Sequence, residues 1–138
     1  MPRNDGKASE AIFLANTKGA VFRLRDKRDL MGLNKGKNVA AFANPSDFIV
    51  AEEDSLVFTE VKSSMNPTSF PLAASFKKGQ LAAMTRLAND EKGHLYKIYI
   101  HNVTENKWYI MNATQFVNLV KQGKKSIKWI HLDSLTAW

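Results

Sequence analysis

Three side chains suited to the hydrolysis of phosphate esters lie close together near the middle of the chain. Asp47 is followed by Glu60 and Lys62, which flank Val61. Breaking a phosphodiester at neutral pH requires an activated water and neutralisation of developing charge, and Mg²⁺ held by one or two carboxylates serves both needs. A neighbouring lysine can orient the water and stabilise the negative charge. Asp47, Glu60 and Lys62 supply these parts, and the carbonyl of Val61 is a natural further ligand.

Two apolar, β-rich runs, Phe48–Val50 and Leu56–Lys62, predict a hairpin that would bring these side chains together. Successive side chains of a strand point to opposite faces, so Glu60 and Lys62 share one face. Pairing through the short acidic turn would bring Asp47 alongside Glu60. For the D…ExK string alone, a surface salt pair at a strand end is the commoner interpretation, whereas its position on adjacent strands of a basic chain favours a metal site.

The remaining pattern predicts an α/β fold, a mixed β-sheet flanked by helices, in one domain over residues 1–138. The first helix begins at Ala8, ends near Gly19 and has an apolar face of Ala8, Ala11, Ile12 and Ala15, widened by Phe13 and Leu14. The other predicted elements are a strand at Ala20–Arg25, a loop at Ser63–Pro71, a helix at Phe76–Asn89 capped by Ser75, strands at Leu95–His101 and Lys107–Met111, and a last helix from the cap Asn112 to Gly123.

Charge is unevenly distributed along the chain, whose formal net charge is +7. Residues 1–37 hold nine Lys or Arg and four acids, residues 38–60 hold five acids and no base, and residues 61–138 return to +7. A basic surface would hold phosphates and the acidic island a cation, so nucleic acid is the favoured partner. The absence of cysteine, of a long apolar run and of a secretory signal predicts a cytoplasmic protein without membrane contact.

The wider sequence around these residues resembles the RecU-type Holliday junction resolvases of the PD-(D/E)XK nuclease superfamily. The resembling segments, in chain order, are Pro45-Ser46-Asp47, Glu60-Val61-Lys62, Thr68-Ser69-Phe70-Pro71-Leu72, Gln80 and Gly123-Lys124-Lys125-Ser126-Ile127. The Thr-Ser-Phe-Pro-Leu match is the most specific, since generic nuclease chemistry does not require it. Two features depart from the family: Gly79 replaces a histidine, and the stretch before Asp47 is short, so residues 26–44 form a basic loop or a reduced stalk.

The resemblance implies a restriction-endonuclease-like core and a homodimer that nicks four-way DNA junctions with Mg²⁺ or Mn²⁺. Asp47 and Glu60 would be metal ligands, Lys62 would orient the water, and Gln80 would lie near the site. Glu10 resembles a first-helix acid of related resolvases, for which an exposed helix carboxylate is an equal alternative. Compact resolvases of this kind also occur in phages, which makes the bacterial or host cytoplasm the expected location.

Basic residues near these motifs are the expected contacts to DNA. Lys77 and Lys78 open a helix, where their charge opposes the helix dipole, so a phosphate held at that helix N-terminus explains them better than a structural role. The expected set comprises Arg23, Arg25, Lys27, Arg28, Lys35, Lys37, Ser69, Lys77, Lys78, Lys124 and Lys125.

Other interpretations compete with a junction resolvase. A different PD-(D/E)XK nuclease would act on flaps, ends or duplex DNA, and a non-catalytic module would only bind DNA. An RNA-binding domain is disfavoured because the chain has no RNP-like aromatic strand. The histidines His94, His101 and His131 lack metal-ligand spacing, and the tryptophans Trp108, Trp129 and Trp138 are expected to fill a core or an interface.

Overall fold

The structure is a computed structural model that describes residues 6–24, 44–135 and 138. Its helices are α1 (Gly6–Asn16), α2 (Lys78–Asn89) and α3 (Ala113–Lys121). Its strands are β1 (Ala20–Arg23), β2 (Phe48–Ala51), β3 (Leu56–Ser64), β4 (Ser69–Pro71), β5 (Tyr96–Asn102), β6 (Lys107–Asn112), β7 (Ser126–Lys128) and β8 (Asp133–Leu135). Short 3₁₀ turns lie at Ala73–Ser75, Gly93–Leu95 and Trp129–His131.

Six strands form one mixed sheet in the order β1-β2-β3-β5-β6-β8. The β3–β5 pair is parallel and the other four pairs are antiparallel. Parallel neighbours need a crossover, and α2 lies in the connection between β3 and β5. Strands β4 and β7 pair antiparallel in a separate small sheet. The predicted mixed sheet flanked by helices is therefore confirmed.

The two faces of the sheet carry separate apolar cores. Alternation along β3 directs Val61 to the core that contains Phe13 of α1. Phe58, three residues earlier on the opposite face, packs against the core that contains Met84 of α2 and Phe116 of α3. Glu60 and Lys62 share the face of Phe58, so both lie on the α2 side of the strand. The site residues of β3 are thus held between buried apolar layers.

Helix α1 packs by a different face from the one predicted. Ala8, Ala11 and Ala15 are exposed, whereas Ser9 and Phe13 are buried. Burial of the large phenyl ring removes far more apolar surface from water than burial of alanine methyls, so Phe13 decides the orientation of the helix. Leu14 is correspondingly left exposed.

Residues 63–76 also differ from the prediction. Strand β3 continues through Ser64, and Ser69–Pro71 is strand β4 rather than loop. The side-chain oxygen of Asn66 accepts hydrogen bonds from the N–H groups of Thr68 and Ser69 at 3.0 Å, and this turn leads the chain into β4. Ser75 does not cap α2, because its hydroxyl donates to the carbonyl of Pro71 and the helix begins only at Lys78.

The predicted start and end of α3 are confirmed, whereas strand β1 ends at Arg23, before Leu24. Asn112 caps α3 by accepting a hydrogen bond from the N–H of Gln115, and Gly123 ends that helix region with φ at +80°. Trp108 and Trp129 are buried in the cores, as expected. In the part of the chain that the structure describes, no helix is both long and apolar enough to cross a membrane.

Candidate active site

An open cleft of about 590 Å³ lies among α1, β1, the start of β2, strand β3 and the first turn of α2. It is lined by Lys7, Glu10, Ala11, Leu14, Arg23, Leu24, Asp47, Lys62, Lys77 and Gln80. Three of the four residues expected to be catalytic therefore share one cleft, and the fourth, Glu60, contacts two of them. Four of the lining residues are basic and two are acidic, which suits an anionic substrate beside a small acidic centre.

Asp47 and Glu60 lie side by side because β2 and β3 form the predicted hairpin. Phe48 pairs with Thr59, which puts Asp47, immediately before β2, opposite Glu60. The backbone N–H of Asp47 donates a 2.7 Å hydrogen bond to one oxygen of Glu60. The Glu60 carboxyl is thus held against the backbone of Asp47, and it lies buried directly behind Asp47, which lines the cleft.

Glu60 is the polar side chain of the site whose hydrogen-bonding capacity is least fulfilled. Its side chain is fully buried, and Oε2 has no hydrogen-bond partner among the described residues. Burial raises the pKa of Glu60 from 4.5 to about 8, the charge of Asp47 adds to this increase, and the ammonium of Lys62 opposes it. An isolated folded chain therefore holds this carboxyl largely neutral at pH 7, and a cation at Oε2 would favour its ionised form.

Lys62 is held beside this carboxyl by its strand and by an aromatic ring. Its Nζ lies 3.2 Å from Oε2 of Glu60, close enough for an ion pair when that carboxyl is ionised, but without hydrogen-bond alignment. The same ammonium lies 5.0 Å from the centroid of the Phe76 ring, where a cation–π contact is favourable. Lys62 is partly exposed to the cleft, so its charge can reach both Glu60 and a bound anion.

Gln80 is nearly buried in the first turn of α2. Its side-chain oxygen accepts a 3.0 Å hydrogen bond from the N–H of Lys77, which satisfies one free donor at the helix start. This contact fixes the carboxamide at the edge of the cleft. It also explains locally why the helix begins at Lys78 rather than at Phe76.

Glu10 lines the cleft, yet it is engaged by an arginine. Arg23 donates a 2.8 Å hydrogen bond to the Glu10 carboxylate, and its guanidinium lies 4.7 Å from the centroid of the Phe48 ring. Within residues 6–24 and 44–135, no three His, Asp or Glu side chains form a cluster that could hold a metal. Glu10 thus lines the cleft as one half of an ion pair, with its side chain only partly exposed.

The donor set at the cleft fits a hard divalent cation. Mg²⁺ is commonly held by one or two carboxylates, with water and substrate phosphate completing its coordination. Asp47 and Glu60 supply two adjacent carboxyl groups, and the unbonded Oε2 of Glu60 lacks the partner that a buried carboxylate oxygen requires. The residues present therefore match the requirements of Mg²⁺ or Mn²⁺.

The expected DNA contacts are divided between two regions of the molecule. Arg23 and Lys77 line the cleft, and Lys78 follows Lys77 at the exposed start of α2. Ser69, Lys124 and Lys125 lie in or beside the small β4–β7 sheet and do not line the cleft. Arg25, Lys27, Arg28, Lys35 and Lys37, with most of the 26–44 stretch, lie outside the described residues.

Sequence reasoning missed Tyr96, which braces the start of β2. Its ring is buried on β5, and its hydroxyl donates to the carbonyl of Pro45, two residues before Asp47. Burial raises the pKa of Tyr96 above its usual range, with smaller contributions from Glu60 and Asp47, so the phenol stays protonated as a donor. No local pattern could reveal this contact, because its partners are 51 residues apart.

Comparison with known proteins gives a structural likeness but no family. No family model matches the chain, and no curated protein matches it. A solved structure described as D212, a nuclease from a fusselovirus, is similar at 13% sequence identity and a TM-score of 0.48, over 99% of this chain and 89% of the other. Likeness of this degree leaves the function to be inferred from the residues of the cleft.

Proposed function

We propose that this chain is a metal-dependent DNA endonuclease of the PD-(D/E)XK type, with four-way junctions as its preferred substrate. One observation carries the nuclease assignment: Asp47 lines a cleft with basic residues, and the adjacent buried carboxyl of Glu60 has an oxygen without a hydrogen-bond partner among the described residues. A purely structural ion pair between Glu60 and Lys62 would leave that oxygen unsatisfied at a cost of about 1 to 3 kcal/mol. A bound cation removes that cost.

Different groups of the chain would have different roles in the reaction. Asp47 and Glu60, with the carbonyl of Val61, would hold Mg²⁺ or Mn²⁺. The cation would supply Lewis-acid activation of the attacking water and neutralise charge on the scissile phosphate. Lys62, fixed between Glu60 and the Phe76 ring, orients that water and stabilises the developing negative charge. Gln80, buried at the start of α2, borders the reacting group and contributes to its positioning.

Basic side chains of the cleft would position the DNA backbone. Arg23 and Lys77 border the cleft from two different elements, β1 and the start of α2. Contacts of this kind hold phosphates and set the register of the duplex without reading bases. The Glu10–Arg23 ion pair limits the freedom of the guanidinium, so a phosphate would meet an already ordered cation.

The preference for four-way junctions and the homodimer rest on the sequence resemblance. The most specific motif, Thr68 to Leu72, contains β4 and leads directly towards α2, which carries Gln80. We expect a mass in solution of two chains, and paired, symmetric nicks in a four-way junction. Comparing cleavage of junction, flap, single-ended and plain duplex DNA tests the substrate class, since a junction that is cut no faster than duplex refutes the preference.

A non-catalytic DNA-binding module is the second candidate. It is favoured only by the strong net positive charge, and it gives no reason for the adjacent carboxyl groups. Asp47→Asn separates the two, because a nuclease loses cleavage and keeps most of its binding, whereas a binding module cleaves nothing even as wild type. The readouts are nicked product in Mg²⁺ and binding of the same DNA in EDTA.

A further inference from the structure

A second concentration of positive charge lies away from the cleft, near the end of the chain. Residues 121–132 contain four lysines and one histidine and no acid. Lys124, Lys128 and His131 line a shallow cavity of about 460 Å³, which none of the residues lining the cleft shares. We call Lys124, Lys125, Lys128 and His131 the β7 surface.

The β7 surface is built on a well-anchored element. Strand β7 pairs with β4, and the N–H of Leu72 donates a 2.9 Å hydrogen bond to the carbonyl of Lys125. Trp129 is buried, and its indole N–H donates to the carbonyl of Asn66 at 2.8 Å. Alternation along β7 turns Ile127 inward and leaves Lys128 exposed. Cations on a fixed backbone lose less conformational entropy on binding than cations on a free loop.

Asp133, the nearest acid in the sequence, borders a neighbouring cavity with His131, but among the described residues it forms no ion pair with the lysines of the β7 surface. Lysines seen in ion pairs among the described residues include Lys62, Lys92, Lys97 and Lys107, none of which belongs to the β7 surface. Lys121, in the last turn of α3, suits the negative end of the helix dipole. Lys128 lies on a strand and has no such role. Uncompensated cations on one rigid patch fit a polyanion.

An exposed apolar side chain stands beside the β7 surface. Ile130 is 84% exposed, between Trp129, which is buried, and His131. Proteins that bend DNA insert apolar side chains between base steps and partly unstack them, and a branch point offers bases whose stacking is already interrupted. A lone exposed isoleucine is ordinary on most surfaces. Ile130 borders a separate cavity, with Lys107 among its lining residues, and it directly precedes His131, so it lies at the edge of the β7 surface, where DNA held by the lysines would bring bases near.

We propose that the β7 surface is a second DNA-binding surface, whose lysines hold a phosphodiester backbone while Ile130 packs against unstacked bases of branched DNA. The inference rests on the proposed nuclease function. It adds that two separate basic regions, the cleft and the β7 surface, bind different segments of one substrate. A plain duplex would use the lysines alone, and a branch point would use Ile130 as well.

The lysines are tested by binding in EDTA, with every variant in the Glu60→Gln background so that cleavage cannot interfere. Lys124→Gln/Lys128→Gln should bind junction DNA roughly tenfold more weakly and lower the slope of log affinity against log salt by about 2, since each phosphate contact contributes about 0.9. The matched control is Lys92→Gln/Lys97→Gln, which removes two lysines that are paired to acids and line neither the β7 cavity nor the cavity beside Ile130. Equal affinities and slopes for the two double variants would overturn the proposal.

Ile130 is tested by the ratio of junction to duplex affinity. Ile130→Ala should lower that ratio by about fivefold and leave the salt slope unchanged, because an apolar contact releases no counterions. Leu56→Ala is the control, since Leu56 is also strongly exposed but lies on the β2–β3 hairpin. An unchanged ratio would refute the base contact. Absence of all DNA binding would instead refute the proposed function, while binding insensitive to both β7 variants would refute this inference alone.

Discussion

Replacing Glu60 by glutamine should stabilise the metal-free protein, and increasingly so as pH rises. The folded chain keeps a proton on Glu60 up to a pKa of about 8, whereas the unfolded chain releases it above 4.5. Between these values the unfolded state binds fewer protons than the folded state, so the free energy of unfolding falls as pH rises. A glutamine side chain does not ionise, so the Glu60→Gln protein does not lose stability through this group as pH rises.

The size of the effect follows from the two pKa values. Each pH unit between 4.5 and about 8 should lower the wild-type free energy of unfolding by about 1.4 kcal/mol through this group. The full loss approaches about 5 kcal/mol above pH 8, where both states are ionised. That amount is a large part of the roughly 5 to 15 kcal/mol that stabilises a typical domain. Mg²⁺ should restore much of this lost free energy of unfolding to the wild-type protein, because a bound cation favours the ionised carboxylate of Glu60.

Urea unfolding of wild type, Glu60→Gln and Glu53→Gln in EDTA, at several pH values from about 5 to about 9, measures this effect. Glu53 is exposed on the same hairpin, so its variant controls for the loss of one acid. The difference in free energy of unfolding between Glu60→Gln and wild type should grow up to a pH of about 8 and then level off. If the free energies of unfolding of these two proteins changed with pH in parallel, Glu60 would ionise as it does in the unfolded chain. The inference drawn from its buried oxygen would then be wrong.

Three further substitutions test the roles of Lys62, Tyr96 and Asn112. Lys62→Met should reduce cleavage at saturating Mg²⁺ and DNA by at least about 100-fold, and a smaller loss would remove Lys62 from the chemistry. Tyr96→Phe should cost about 1 kcal/mol in urea unfolding and slow cleavage severalfold, because the carbonyl of Pro45 loses its partner near Asp47; cleavage at the wild-type rate would argue against this bracing. Asn112→Ala should cost about 1 kcal/mol through the lost cap of α3 and leave the cleavage rate unchanged, and a rate change would show that α3 is coupled to the cleft.

The sequence predicts the site best where the determining contacts are local. Asp47 and Glu60 are 13 residues apart in one hairpin, and alternation along a single strand puts Glu60 and Lys62 on one face. The cap of α3 and its end at Gly123 are equally local. Each of these follows from strand geometry or from the preferences of one residue, so no knowledge of the rest of the fold is required.

Contacts between distant segments were beyond prediction. Strand β4 exists only because Ser126–Lys128 pairs with it from the other end of the chain. The buried face of α1 depends on how Phe13 fits between Phe48 and Tyr99. Whether a basic residue lies in the cleft or on the β7 surface depends on the topology of the whole chain. The positions of these residues in the sequence therefore did not predict that they divide between two regions.

Nicking of a labelled four-way junction by wild type and Glu60→Gln, each in Mg²⁺ and in EDTA, tests the central claim most directly. We expect paired, symmetric nicks for wild type in Mg²⁺ and none in the other three reactions, with the junction still bound by the Glu60→Gln protein. Cleavage by Glu60→Gln at the wild-type rate, or wild-type cleavage that persists in EDTA, would contradict the central claim.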